Sequence, residues 1–94
     1  MNMLTVVIPH KNDLINLLSL VDTLLEFQLI DIIVVDDNSQ NYSEVSTALN
    51  EGKRHIVTLK KNPGSGAGAA RNEGLSLVYS PYVLFCDSDD VISS

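Results

Sequence analysis

The sequence has few basic residues, a single cysteine and no long apolar run. Six lysines and arginines stand against twelve acidic residues, for a formal net charge of −6. This balance argues against a nucleic acid partner, because binding phosphates requires a basic face. Cys86 has no second cysteine with which to form a disulfide. No run approaches the ~18 apolar residues of a membrane span, and no basic leader precedes a short apolar core. The composition therefore predicts a cytoplasmic protein without a transmembrane segment, either free or at the inner face of the membrane.

Short apolar segments alternate with stretches whose apolar spacing is typical of helices. Strands are predicted at residues 4–8, 30–35 and 55–59, and a buried strand is predicted at residues 82–86. The first helix is expected to be capped by Asn12 or Asp13. This alternation predicts an α/β fold, a Rossmann-like parallel sheet of about four strands with helices on both faces. The length allows one domain, residues 1–94.

Acidic residues concentrate where two of the predicted strands end. Asp36 and Asp37 end the second strand, and three more follow the fourth: Asp87, Asp89 and Asp90. Carboxylates this close repel one another unless a cation or a raised pKa relieves them, and carboxylate oxygens suit Mg²⁺ or Mn²⁺. Right-handed crossovers place all the strand ends along one edge, where open α/β sheets bind ligands. The pattern therefore fits either a divalent metal site there or a solvated acidic turn.

A glycine-rich segment, residues 64–70, precedes the third predicted helix. It contains a G-x-G-x-x-A pattern, and Asp87 lies about 20 residues further on, which makes an NAD(P)-binding oxidoreductase one alternative. Against that alternative, residues 60–63 separate the strand from the first glycine, where the dinucleotide fingerprint needs a tight turn. Gly74 lies inside the helix, where glycine costs ~1 kcal/mol relative to alanine. We therefore expect close packing at Gly74.

Four motifs, in this order and spacing, resemble the nucleotide-binding half of a family 2 glycosyltransferase. They are LTVVIPHKN at residues 4–12, IIVVDDNS at residues 32–39, GAGAARNEGL at residues 66–75 and YVLFCDSDD at residues 82–90. The resemblance covers nearly the whole chain. It implies the GT-A fold, a nucleotide diphosphate sugar donor that is commonly a UDP-sugar, and a Mn²⁺ or Mg²⁺ cofactor. It also implies a saccharide or lipid-linked acceptor.

Matching the motifs position by position implies a set of donor-binding residues: Pro9, Lys11, Asp37, Arg71, Asp87 and Ser88. The same resemblance makes Asp89 and Asp90 the metal ligands. Asp37 corresponds to the residue that hydrogen-bonds the base, and Arg71 to the arginine of the Ala-Arg-Asn segment. His10 is interpreted as a polar loop residue in preference to a general base.

The sequence stops at Ser94, just beyond the Asp-Ser-Asp motif. Members of the family continue into a half that binds the acceptor and supplies the catalytic base, so no catalytic residue is assigned. We expect these 94 residues to be a truncated donor-binding half that is inactive in sugar transfer by itself. An uncovered sheet edge would favour a homo-oligomer. A nucleotide-binding module without catalysis is a further alternative.

Overall fold

A computed structural model describes residues 2–88. Four strands, Leu4–His10 (β1), Ile30–Asp36 (β2), Thr58–Lys61 (β3) and Tyr82–Phe85 (β4), alternate with three helices, Leu14–Leu24 (α1), Tyr42–Leu49 (α2) and Ala67–Ser76 (α3). A 3₁₀-helix, Gly52–Ile56, precedes β3. The strands are parallel, and their order is β3-β2-β1-β4. The predicted α/β fold is confirmed, with β1 inside the sheet.

Alternate residues of the two inner strands fill two apolar layers. Val6 and Val34 face one side, where they belong to a core formed with α1 and α2. Val7 and Val35 face the other side, where they pack with Ala70 of α3. The prediction of helices on both faces is therefore confirmed. Because both faces are covered, the inner strands are apolar along most of their length.

Gly74 brings α3 against the sheet. A Cβ atom at this position would overlap Val7 Cγ1 and would lie 3.3 Å from Val35 Cγ2. The predicted close packing is confirmed, since no side chain fits between the helix and the two valines.

The first strand continues beyond Pro9, where the sequence had been expected to end it. Pro9 pairs with Val35 and His10 with Asp36. Val7 O accepts from Cys86 N on the β4 side, and His10 O accepts from Asp37 N on the β2 side. The backbone N–H and C=O groups of successive β1 residues point alternately toward β4 and toward β2. The backbone nitrogen and C=O of Pro9 therefore point toward the β4 side, beyond the last residue of β1 that pairs with β4. Its missing N–H therefore costs the sheet no hydrogen bond.

The third and fourth strands differ from their predictions. Residues 52–56 form the 3₁₀-helix, which begins at Gly52 with φ of +54°, so β3 starts only at Thr58. The prediction that β4 is buried is wrong, because all four of its residues are exposed. The strand lies at the sheet edge beside β1, whereas α3 packs on β1 and β2, and α1 shares a core cluster with the same two strands. Within residues 2–88, no helix has both the length and the apolar character to cross a bilayer.

Candidate functional site

The carboxyl ends of the four strands meet at one edge of the sheet. His10 at the end of β1 pairs with Asp36 at the end of β2, and Asp36 pairs with Lys61 at the end of β3. On the far side of β1, Cys86 N donates to Val7 O at 3.0 Å. The predicted convergence of the strand ends is therefore confirmed. We call this region the carboxyl edge: residues 9–13, 36–40, 61–66 and 86–88.

Asp36 and His10 form a buried pair at the centre of the carboxyl edge. Their side chains are almost fully buried, and His10 Nδ1 lies 2.9 Å from Asp36 Oδ1. The other ring nitrogen, Nε2, accepts the backbone N–H of Asp13 at 2.9 Å. The interpretation of His10 as a loop residue is wrong, because it ends a buried strand. Both ring nitrogens are engaged, so the ring could act as a base only by breaking one of these bonds.

Hydrogen bonds also join the loops that follow β1 and β2. Asn12 N donates to Ser39 Oγ at 2.9 Å, and Gln40 N donates to Asn12 Oδ1 at 2.8 Å. Asn12 and Asn38 have positive φ angles of 51° and 59°. Asparagine tolerates this left-handed conformation better than most residues. The local sequence therefore suits the tight turns that bring the two loops together.

Asp37 holds the loop between β3 and α3. Its carboxylate accepts the backbone N–H of Gly66, at 3.1 Å from each oxygen. Asn62 Nδ2 donates to Asp37 Oδ1 at 3.1 Å, and Asn38 Nδ2 donates to the same oxygen at 3.2 Å. Gly66 has φ of +90°, which glycine adopts without strain. The loop is therefore anchored to the end of β2, beside the start of α3.

The structure brings the other described donor-binding candidates to the same edge. Arg71 Nη2 of α3 lies 3.5 Å from Asp87 Oδ1, and both side chains are about half exposed. Pro9 is buried in β1, whereas Lys11 is exposed in the loop that follows. Ser88 is buried. Since Arg71 and Asp87 remain in contact with water, their charges can still meet a ligand.

The predicted metal ligands, Asp89 and Asp90, lie outside the described residues. Within residues 2–88 no group of three histidine, cysteine, aspartate or glutamate side chains is arranged to hold an ion. Asp87 is the acid of the motif that the structure describes. The assignment of the metal ligands therefore stays a prediction.

Sequence reasoning missed Asp13, Asn62 and the structural role of His10. Ser88 Oγ donates to Asp13 Oδ2 at 3.1 Å, across the gap between β4 and α1. Asn62 stands directly before Pro63 and Gly64, and this Asn-Pro-Gly sequence is a turn signal. That signal could have drawn attention to Asn62. The sequence signal at Asp13 was that of a helix cap, which says nothing of a contact with Ser88.

A parallel α/β sheet whose polar loops gather at its carboxyl edge is typical of the Rossmann-like class, in which ligands bind at that edge. The family model for glycosyl transferase family 2 matches residues 5–94. The chain belongs to this family.

Two relatives agree with this assignment, and a solved structure shares the fold. The chain is 32% identical to glycosyltransferase GlyG of Streptococcus pneumoniae over 96% of its length, and 35% identical to poly(ribitol-phosphate) beta-glucosyltransferase of Bacillus spizizenii over 97%. It spans 31% and 15% of those two proteins. The fold is that of mannosyltransferase PcManGT from Pyrobaculum calidifontis, solved with GDP-Man and Mn²⁺: the TM-score is 0.79 at 22% identity, over 93% of this chain and 27% of that one. The expected GT-A fold is thereby confirmed.

Proposed function

We propose that this chain binds the nucleotide diphosphate of a sugar donor, a UDP-sugar, together with a divalent metal ion. In this proposal it forms the donor-binding part of a glycosyltransferase. The main observation behind the proposal is that Asp37, Arg71 and Asp87 lie at the same edge of the sheet. The neighbouring mannosyltransferase structure contains GDP-Man and Mn²⁺, which supports a nucleotide sugar and a metal ion as ligands.

Asp37 is proposed to accept a hydrogen bond from the base. A carboxylate only accepts hydrogen bonds, so it suits the ring N–H of uracil or of guanine and disfavours cytosine and adenine, whose corresponding ring nitrogens carry no hydrogen. The preference for uracil over guanine rests on the family resemblance. Among the described contacts, Oδ1 accepts from three groups, whereas Oδ2 shares only the N–H of Gly66. Oδ2 therefore retains room for a base. Pro9 and Lys11 would line the pocket for the base and ribose.

The metal would be held by Asp89 and Asp90, with Asp87 and Ser88 nearer the ribose. Carboxylates are the oxygen ligands that Mn²⁺ and Mg²⁺ accept. When bound, such an ion neutralises negative charge on the diphosphate leaving group. A chain with a net charge of −6 would otherwise repel the donor.

Arg71 is proposed to turn from Asp87 toward the donor. The Arg71–Asp87 distance of 3.5 Å and the exposure of both side chains describe a weak surface pair, so exchanging this partner costs little. A guanidinium group carries several N–H donors suited to phosphate or carbonyl oxygens. Arg71 would thus supply positive charge beside the acidic motif of residues 87–90.

Calorimetric titration of the 94-residue chain with UDP and GDP, each with and without Mn²⁺, tests the proposal. We expect UDP to bind only with the metal and more tightly than GDP. The Asp89→Ala variant should lose this binding. Asp31→Ala is the matched control, because Asp31 is an exposed carboxylate at the opposite end of β2 and should leave binding unchanged.

Other outcomes would contradict parts of the proposal. Tight NADH binding without metal would favour the dinucleotide alternative. An Asp89→Ala variant that binds UDP and Mn²⁺ as tightly as the wild type would show that Asp89 is not a metal ligand. We expect this 94-residue polypeptide to bind the donor without transferring its sugar. Transfer by the polypeptide alone would refute that expectation.

A further inference from the structure

Ser88, the middle residue of the Asp-Ser-Asp motif, is tethered by a residue at the start of α1. Its hydroxyl donates to Asp13 Oδ2 at 3.1 Å, and Ser88 is only 8% exposed. The acceptor is a charged carboxylate, and 3.1 Å is at the long end of the range for an O–H···O hydrogen bond. This contact joins the loop after β4 to a part of the chain 75 residues away.

Asp13 takes the N-cap position of α1 without using its side chain to cap the helix. Its carboxylate makes no bond to the first backbone N–H groups of α1. Instead, Oδ1 accepts from Asn16 Nδ2 at 2.9 Å and Oδ2 accepts from Ser88. Aspartate at this position commonly stabilises the helix by capping it. Here the carboxylate serves the long-range contact.

The backbone of Asp13 is fixed in turn by the buried histidine. Asp13 N donates to His10 Nε2 at 2.9 Å, so this nitrogen carries no proton and Nδ1–H donates to Asp36 Oδ1. Asp36 also accepts from Ser39 N at 2.9 Å and from Ser39 Oγ at 2.7 Å. A continuous series of hydrogen bonds thus connects the ends of β2, β1 and β4.

We infer that Asp13 is a positioning residue for the loop that follows β4, an inference that depends on the proposed donor and metal binding. Asp87, Asp89 and Asp90 lie within four positions of the sequence, so gathering their carboxylates around one ion would work against their mutual repulsion. The bond from Ser88 to Asp13 fixes the position of Ser88, directly before Asp89, without any ligand. Such preorganisation lowers the entropy that binding must remove. Groups that hydrogen-bond a metal ligand directly typically contribute about 10- to 100-fold in metal affinity. Asp13 bonds the residue beside a proposed ligand, so its contribution should lie at the lower end of that range.

The test compares Asp13→Ala, Ser88→Ala and the double variant with the wild-type chain. The affinity for Mn²⁺ with UDP is measured by calorimetry, and free Mn²⁺ is followed by electron paramagnetic resonance. Asp13→Ala should weaken binding about tenfold. Ser88→Ala should weaken it at least as much, because Ser88 is also a proposed donor-binding residue, and the double variant should bind no more weakly than Ser88→Ala, since the bond between the two residues is already lost. Asp13→Asn keeps an acceptor oxygen and should restore most of the affinity. Additive losses, or a loss in Asp13→Asn as large as in Asp13→Ala, would overturn the inference.

A second measurement needs no ligand. Backbone amide exchange at residues 86–88 should accelerate in Asp13→Ala, whereas exchange at residues 62–66, which Asp37 anchors, should not change. Unchanged exchange at residues 86–88 would refute the positioning role whether or not the donor binds. Absence of metal-dependent UDP and GDP binding in the wild-type chain would instead refute the proposed function, so the two failures are distinguishable. Asp31→Asn, which removes a charge at the opposite sheet edge, should match the wild type in both measurements.

Discussion

Asp36 and Asp37 are neighbours in the sequence, yet their carboxylates hold two different loops. Asp36 binds His10 and Ser39, and so joins the loop after β1 to the loop after β2. Asp37 binds Gly66 and so fixes the loop before α3. Successive side chains of an extended segment point in opposite directions. Two adjacent acids therefore organise both sides of the carboxyl edge.

Replacement of Asp36 by asparagine should destabilise the fold. The amide keeps one acceptor oxygen and places an NH₂ group against the N–H and O–H donors of His10 and Ser39. Losing buried bonds to a charged group should lower the free energy of unfolding by about 2–3 kcal/mol. Urea denaturation measures the change. Asp31→Asn, at the exposed end of the same strand, should change it by less than about 0.5 kcal/mol, and equal effects would contradict the assigned role of Asp36.

Gly74→Ala should lower stability although alanine favours helices. The added methyl group would overlap Val7, so helix and sheet must separate, at a cost of about 1–3 kcal/mol. Gly68→Ala lies in the same helix with no neighbouring atom within 4 Å of the new Cβ. That control should gain up to ~1 kcal/mol. Thermal unfolding of both variants measures the difference in stability. A Gly74→Ala variant more stable than the wild type would show that helix and sheet can move apart without loss of stability.

Leu29→Gly should stabilise the chain. Leu29 has φ of +64° and its side chain is largely exposed, so it bears backbone strain and contributes little packing. Relief of the left-handed conformation is worth about 1 kcal/mol, part of which is offset by the greater freedom of glycine in the unfolded chain. Phe27→Gly, at a nearby exposed position without positive φ, should destabilise instead. The denaturation midpoint of each variant measures its stability. If both midpoints move in the same direction, the result argues against strain at Leu29.

The surface pair of Asp22 and Arg54 should add stability that depends on pH. Arg54 donates to both carboxylate oxygens at 2.8 and 2.7 Å, and these hydrogen bonds are the largest cause that lowers the pKa of Asp22 below its ordinary 3.8. A carboxyl whose pKa is lower in the folded state stabilises the fold above its ordinary pKa. That contribution is lost as the pH falls through the lowered value.

The melting temperature of Asp22→Asn, compared with the wild type from about pH 7 down to about pH 2, tests this dependence. The variant should melt slightly lower at neutral pH, and the gap should close in acid. The effect should be small because both side chains are partly exposed. A gap that persists unchanged at the acidic end would mean that the bond to Arg54 is not its cause.

The sequence could predict the sheet because its strongest signals are local. Apolar runs ending in polar residues marked the strands, and the parallel arrangement brought Asp37 and Asp87 to one edge. The exposure of β4 could not be predicted, because an apolar run has the same composition at an edge as inside a sheet. The contact of Ser88 with Asp13 depends on loop geometry and on which helix lies beside β4. Neither is encoded in residue spacing.

The position of β1 inside the sheet also has a consequence for how the chain folds. Its first strand pairs on one side with β2, which follows soon in the sequence, and on the other with β4, the last strand described. Closing that long loop carries the larger entropic cost, so the β1–β2–β3 layer can assemble earlier than the β1–β4 pair. During synthesis, residues 82–88 must emerge from the ribosome before the carboxyl edge can form completely.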